Sequence, residues 1–273
     1  MTLFDPPQPL PAAPIGPLVR VRMTVAYDGA GFHGFAAQAA GVPTVAGALA
    51  GALERVLRLT GPPAITCAGR TDAGVHAWGQ TAHVDLPVGV DVDDLRRRLV
   101  KLLAPQIVVR SLDLAPPGWD ARRSARSRSY RYMVLNRALP DPFWHGRVWH
   151  VEQPLDRRAM ELACDPLIGE RDFSSFCRRP TGEPAASLTR NVTYAGWVDG
   201  GDGIVRFDIT ATAFCHQMVR SIVGTLVDVG LGRRRAGEMV GILQARDRSA
   251  AGSVAPPEGL CLWSVGYPDD LEG

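Results

Sequence analysis

Lysine is almost missing from this chain: Lys101 is the only one among 30 basic residues, and the remaining 29 are arginines. Arginine suits planar phosphate and base contacts, but a GC-rich coding bias produces the same ratio, so the imbalance alone assigns no partner. A dominant charge is missing as well. Thirty basic against 28 acidic residues leave +2, a total that by itself argues against a nucleic-acid partner. The five cysteines, Cys67, Cys164, Cys177, Cys215 and Cys261, stand singly without a CxxC pair, and none of the six histidines lies in an HExxH. Zinc-site spacing is therefore absent, the cysteines read as reduced cytosolic thiols, and neither metal nor cofactor is expected. Residues 1–17 hold six prolines but no basic start followed by an apolar stretch, so they do not read as a signal peptide. The one long uncharged run, 29–53, contains six glycines, His33, Gln38 and Pro43, which excludes a membrane helix. With 46% hydrophobic and 21% charged residues, wholesale disorder, collagen and coiled coil are excluded too.

What is present is enough chain, 273 residues, for two ordinary domains or one large one, without staples. Val19, Val21, Met23 and Val25 alternate with polar or small residues and predict a strand at 19–27. Thr44 can cap a helix carrying Val45, Leu49, Leu53, Val56 and Leu57 on one face and ending near Gly61. Strands at 64–68 and 80–86, a helix with Leu95, Leu99, Leu102 and Leu103, and a strand at 107–114 complete the order βαββαβ. After Ala115-Pro116-Pro117-Gly118 the order can be read again. A strand at 130–136, a helix at 156–167, a hairpin of 192–197 with 204–210, helices at 216–229 and 238–245, and a strand at 260–265 form this second unit. The fold expected is α+β: two ferredoxin-like (RRM-like) βαββαβ halves with antiparallel sheets, helices on one face, and an active-site cleft between them. The organisation expected is a disordered tail at 1–18, halves at 19–115 and 119–267, and an acidic tail at 268–273.

The segment Gly69-Arg70-Thr71-Asp72-Ala73-Gly74-Val75-His76-Ala77 lies between the two short strands of the first half. It combines a strand end, two glycines, one carboxylate and an arginine two residues before it. An arginine near an aspartate keeps it ionised, and so available as a nucleophile or charge stabiliser. The same residues also describe an Asp-centred turn with a surface ion pair.

This nonapeptide, followed by Trp78-Gly79-Gln80, closely resembles the signature loop of the tRNA pseudouridine synthase A family. Further segments follow in the family's order over about residues 19–267: Tyr27-Asp28-Gly29 with Gly34, Phe35 and Gln38; Thr44-Val45; Ser129-Tyr130-Arg131-Tyr132; Asp172-Phe173-Ser174-Ser175-Phe176; Phe214 with Met218-Val219-Arg220; and Glu258-Gly259-Leu260. The resemblance implies isomerisation of uridine to pseudouridine at positions 38, 39 and 40 of the tRNA anticodon stem-loop. Uracil is detached through N1 and rejoined through C5, without cofactor. Asp72 matches the family's catalytic aspartate, which attacks C1′ or the uracil ring or stabilises a cationic sugar. Tyr130 matches the active-site tyrosine, able to stack on uracil and a candidate for the C5 proton. Arg220 matches the arginine that pairs with the aspartate, and Leu260 a residue lining the uracil pocket. Without the resemblance, Tyr130 reads as a core or edge aromatic and Leu260 as core, while Arg220, amid apolar neighbours, reads equally as an arginine that needs a partner and as part of a helix-terminal surface salt bridge.

A uridine in a folded stem-loop must leave its stack before Asp72 can reach it. Arg70 is a candidate to fill the vacated space or hold the flipped nucleotide's phosphate. His76 either assists at the loop's far end or simply bonds backbone in the turn. For the RNA surface, Arg122, Arg123, Arg126, Arg128 and Arg131 form an acid-free stretch leading into Tyr130, with Arg126 and Arg128 as substrate-binding candidates. Other clusters are Arg178-Arg179, Arg233-Arg234-Arg235, and Arg246 with Arg248. The family's members act as homodimers in the cytoplasm, with tRNA as partner and no membrane. Two departures from its pattern, Phe35-Ala36-Ala37 and Cys261, together with the variable stretch Cys215-His216-Gln217 before Met218, bear on substrate contacts rather than on the catalytic set. The rival readings are a non-catalytic RNA-binding protein with two RRM-like sheets, which the missing RNP run disfavours, and an N-glycosylase that uses Asp72 to release uracil.

Overall fold

The computed structural model describes residues 16–178 and 187–268. Most of the expected proline-rich and acidic tails, together with Arg179, lie outside the described residues. Strand β1 (Leu18–Tyr27) buries Val21, Met23, Val25 and Tyr27 and leaves the alternate residues partly exposed, as a strand covered on one face must. Helix α1 (Val45–Leu57) starts where the Thr44 hydroxyl accepts the N–H of Gly47, satisfying a donor that the helix itself cannot. It stops at Arg58, in the left-handed region at φ 53°, before the Gly61 end that composition suggested. Then come β2 (Ile65–Cys67), β3 (His76–Pro87), α2 (Val92–Leu103), capped by Asp91, and β4 (Ile107–Leu114). Leu95 and Leu99 of α2 are buried, whereas Leu102, expected on the same stripe, is exposed.

The second part runs β5 (Ser127–Asn136), β6 (Trp149–Val151), α3 (Arg157–Leu162), β7 (Gly169–Asp172), β8 (Thr189–Gly201), β9 (Ile204–Ala211), α4 (Met218–Gly230), α5 (Glu238–Ala245) and β10 (Leu260–Gly266). Helix α3 is half the expected length. Pro166 cannot donate a helical hydrogen bond, and the chain passes into a single 3-10 turn at Asp165–Leu167. The three- and four-residue strands β6 and β7 are too short to show an alternation in sequence.

The ten strands of the described residues form one mixed sheet, with the order β4-β1-β3-β10-β5-β9-β8-β7; β2 adds to β3, and β6 to β5. The expectation of separate antiparallel sheets is corrected here. The sheet is mostly antiparallel, but β3 and β10 pair parallel through Cys261 with His76 and Leu262 with Ala77, which makes the two parts continuous. The physical reason is that β10, last in the chain, hydrogen-bonds β5 on one edge and β3 on the other, leaving neither part with a free edge there. A single core follows the sheet across this seam, from Val21, Leu49 and Leu53 to Tyr130, Tyr132, Phe207, Ile222 and Leu226. Each such fully buried side chain contributes about 1.5–3 kcal/mol relative to exposure. The cysteines also depart from expectation: Cys177 and Cys215, 38 residues apart, are joined as a disulfide, while Cys67, Cys164 and Cys261 are free. Nothing in their linear spacing marks the pair, because it forms only when the turn after β7 meets the segment before α4. No described helix is long and apolar enough to cross a membrane.

Candidate active site

The loop joining β2 to β3 is held from several sides. Ala68 donates its N–H to Thr81 O, and the Gln80 amide donates to Gly69 O at 2.7 Å, fixing the point where the loop leaves the sheet. The buried Thr71 hydroxyl shares a 2.8 Å hydrogen bond with the phenol of Tyr27. Within the loop, Val75 N–H closes a turn onto Asp72 O, and Gly74 takes φ +76°, a conformation that favours glycine. The segment after β1 lies directly against the loop. Phe35 N–H donates to Thr71 O and Gly74 N–H to Phe32 O. A Cβ on Gly34 would sit 2.6 Å from Thr71 O, and one on Gly29 2.2 Å from Val75 O, so both positions require glycine for this approach. Phe35, one of the two family departures, is buried against Tyr27 and supplies one of these backbone contacts.

Asp72 emerges from this frame with its side chain 26% exposed. Arg220 approaches one carboxylate oxygen, with Nη1 3.4 Å from Oδ2. The guanidinium is itself aimed, because its Nε donates to Ala255 O at 2.7 Å. Arg220 lies in the first turn of α4, whose Met218, Val219, Ile222 and Val223 are buried. Segment 253–255 runs against that helix closely enough that a Cβ on Gly224 would fall 1.8 Å from Ser253 O. On the other carboxylate oxygen, His216 Nε2 stands 3.4 Å from Oδ1. Tyr130 enters from β5, buried, with Phe214 edge-on at 5.0 Å. Its hydroxyl lies 3.9 Å from where a Cβ of Gly69 would stand. Burial, and then the nearby negative charge of Asp72, push the Tyr130 phenol above its ordinary range, so it is a protonated donor at neutral pH. One carboxylate, a guanidinium hydrogen-bonded to one of its oxygens, an imidazole nitrogen 3.4 Å from the other and a protonated phenol therefore share one place.

The model of a family described as "tRNA pseudouridine synthase" matches residues 163–268. Proteins named tRNA pseudouridine synthase A are similar over nearly the whole chain. The one from Leifsonia xyli is 40% identical, covering 93% of both chains. That of Cutibacterium acnes is 42% identical, covering 93% of this chain and 90% of its own, and that of Frankia casuarinae 44%, covering 93% and 92%. The chain belongs to the tRNA pseudouridine synthase A family. It is an isomerase that converts uridine in tRNA to pseudouridine. Among solved structures, a chain of the Cbf5-Nop10-Gar1 complex aligns over 89% of this chain and 49% of its own, with 16% identity and a TM-score of 0.34.

The structure sorts the enzyme's remaining sequence-derived site residues. Arg70 is exposed at the start of the Asp72 loop. His76 belongs to β3, which begins four residues earlier than periodicity suggested, and is buried. Its Nδ1 accepts the N–H of Gly29 at 3.0 Å and stands 3.1 Å from Asp28 Oδ1, while its Nε2–H donates to Gly146 O at 3.0 Å. It bonds backbone, the second of its two sequence readings. Leu260 is buried in β10, opposite Tyr132 in register.

Arg126 is exposed, as are Arg122 and Arg123. Arg128, read from sequence as an RNA contact, is corrected: it is buried, and its guanidinium donates to the carbonyls of Ala125, Thr212, Ala68 and Arg122. The reason is its register in β5: it faces the point where three stretches of chain, the turn before β5, the end of β2 and the residue after β9, present four carbonyls. Arg131 lies over the Trp263 ring at 3.6 Å and pairs with Asp208, so it too is engaged within the protein. Arg233 and Arg234 flank Asp228, and Arg246 pairs with Asp172. Cys261, the other family departure, is half-buried, its thiol pushed up to about 11 by burial. His216 is the residue that sequence reasoning missed. It lies in the stretch Cys215-His216-Gln217, where no family motif marks it, and it precedes the N-cap of α4, so helical spacing does not mark it either.

Proposed function

We propose that this synthase modifies uridines 38, 39 and 40 of the anticodon stem-loop, with Asp72 as the group that acts on the flipped nucleotide. The observation that carries this reading is the Asp72 carboxyl group, 3.4 Å from the Arg220 guanidinium and close to a protonated, buried Tyr130. An oriented carboxylate can attack C1′ or the uracil ring, or stabilise positive charge on the sugar as the glycosidic bond breaks. Arg220 then lowers the cost of keeping that charge in a partly closed site. Tyr130 offers its ring as a platform for the detached uracil and its hydroxyl for proton transfer at C5. Leu260 borders the uracil from β10, and Arg70, exposed beside Asp72, holds the flipped nucleotide's phosphate or fills its vacated place.

The tRNA surface in this reading is led by Arg122, Arg123 and Arg126, three exposed guanidiniums on the segment entering β5. Each part of the sheet is a ferredoxin-like unit. The orders β4-β1-β3-β2 and β10-β5-β9-β8 support this, since both place the fourth strand of a βαββαβ unit beside the first. The enzyme works in the cytoplasm as a homodimer. Mapping pseudouridine in a whole tRNA and in an isolated anticodon stem-loop, with wild type and Asp72→Asn, tests the proposal. Modification of positions 38–40 by wild type alone supports it. Modification elsewhere, modification by Asp72→Asn, or release of free uracil refutes it.

A further inference from the structure

We propose that His216 is a positioning residue for Asp72, holding Oδ1 while Arg220 holds Oδ2, so that the carboxylate is presented to the nucleotide in one orientation. The inference rests on Asp72 being the acting group. An aspartate with a single cationic partner can turn about its terminal torsion, which is broad and roughly two-fold. An imidazole with Nε2 3.4 Å from the other oxygen closes off that freedom when it presents its N–H there. Here the two donors come from either end of the same helical start: Arg220 from the first turn of α4, and His216 from the residue preceding its N-cap, Gln217.

The backbone around His216 is built to hold it. Gln217 takes φ 63°, the left-handed turn that directs the chain into α4. Arg178 N–H donates to His216 O at 3.0 Å, and the neighbouring Cys215 is tied to Cys177. Consecutive residues of one segment, 177 and 178, thus anchor consecutive residues of the other, 215 and 216. On the same stretch Phe214 packs edge-on against Tyr130, so the strap that places His216 also fixes a neighbour of the phenol. The imidazole itself is 45% exposed, against 14% for Arg220. It therefore stands on the open side of the carboxylate, where it can yield to an arriving nucleotide, while Arg220 remains as the enclosed partner. Loss of its Nε2–H would leave the carboxylate charged and present but free to turn.

The test follows tritium release from the uracil C5 of an unmodified tRNA transcript under single-turnover conditions, since rejoining through C5 expels that hydrogen. His216→Ala and His216→Met, which both lack the donor, are expected to slow the step roughly ten- to a hundredfold while tRNA affinity stays within about twofold. His216→Gln, whose amide N–H can reach the same oxygen, should recover most of the rate. All three should melt with the wild type. A wild-type rate in His216→Ala, a loss arising only from weaker tRNA binding, or a His216→Gln as slow as His216→Met overturns the proposal. Asp72→Asn, run alongside, separates the two levels: activity there refutes the role of Asp72 itself, whereas an inactive Asp72→Asn beside a fully active His216→Ala refutes only the positioning by His216.

Discussion

Arg128→Met separates scaffold from RNA contact more sharply than any other substitution in the arginine-rich stretch. Methionine keeps much of the aliphatic stem and removes the guanidinium, which donates at 2.8–3.3 Å to four carbonyls from three stretches of chain: the turn before β5, the end of β2, and the residue after β9. Each buried acceptor left without a donor costs about 1–3 kcal/mol, but neighbouring carbonyls share water once the site opens, so the costs do not add fully. A loss of about 3–5 kcal/mol is expected, which for a chain of this size lowers Tm by roughly 6–20 °C. Calorimetry measures the fall, and tRNA binding across a salt series measures the other half of the argument. The slope of log K against log salt should be unchanged in Arg128→Met, and should drop by about 0.7–0.9 for each of Arg122→Ala, Arg123→Ala and Arg126→Ala, with Tm unaffected. An Arg128→Met that melts with the wild type and has a shallower salt slope would refute the reasoning.

Gly34→Ala puts a Cβ 2.6 Å from Thr71 O at a residue with φ +95°; it should lower stability by about 1–3 kcal/mol and depress kcat by displacing the Asp72 loop, read by thermal melts and pseudouridine formation. Arg220→Lys keeps a positive charge but loses the Nε donor that Ala255 O accepts. The expected result is a kcat lower by roughly ten- to a hundredfold, with tRNA affinity retained in filter binding. The Arg20 guanidinium bonds Asp85 and holds its carboxyl below the usual carboxylate range. A depressed pKa makes the pair's contribution present above the unfolded carboxylate range and lost as pH falls through the folded value. Because Asp85 is 42% exposed, Asp85→Asn should cost at most about 1 kcal/mol at neutral pH, a difference that shrinks to nothing in acid unfolding curves.

Much of the scaffold was legible because its signals are local. The alternation in β1 and the Thr44 cap on α1 involve residues within a turn or a strand of each other, and both stand where periodicity put them. Strand β4 and helix α5 match their expected limits to the residue. Elements were lost where the signal is short or conditional: β6 and β7 have too few residues to alternate, and α3 is cut by Pro166 rather than by any change in hydrophobicity. In the site, Asp72, Tyr130 and Arg220 were visible through motif resemblance, whereas His216 carried no motif. Arg128 was misread because a run of arginines says nothing about which of them face inward; in an alternating strand that depends on register, and register belongs to the partner strand.

The sequence by itself determined the family, the longer strands and helices, the glycines on which the Asp72 loop depends and the carboxylate at its centre, because each is a property of residues close along the chain. Only the tertiary structure decided that the two parts of the chain form a single sheet through the β3–β10 pair, that Asp72 meets Arg220 across a separation of 148 residues, and that His216 stands 3.4 Å from its other oxygen. It also decided that the charge distribution differs from the arginine tally: of the five arginines leading through Tyr130, three remain exposed, while Arg128 is consumed by carbonyls and Arg131 by Trp263 and Asp208. Pairings of this kind depend on which distant segments converge once the apolar faces are buried, and no local pattern encodes that convergence.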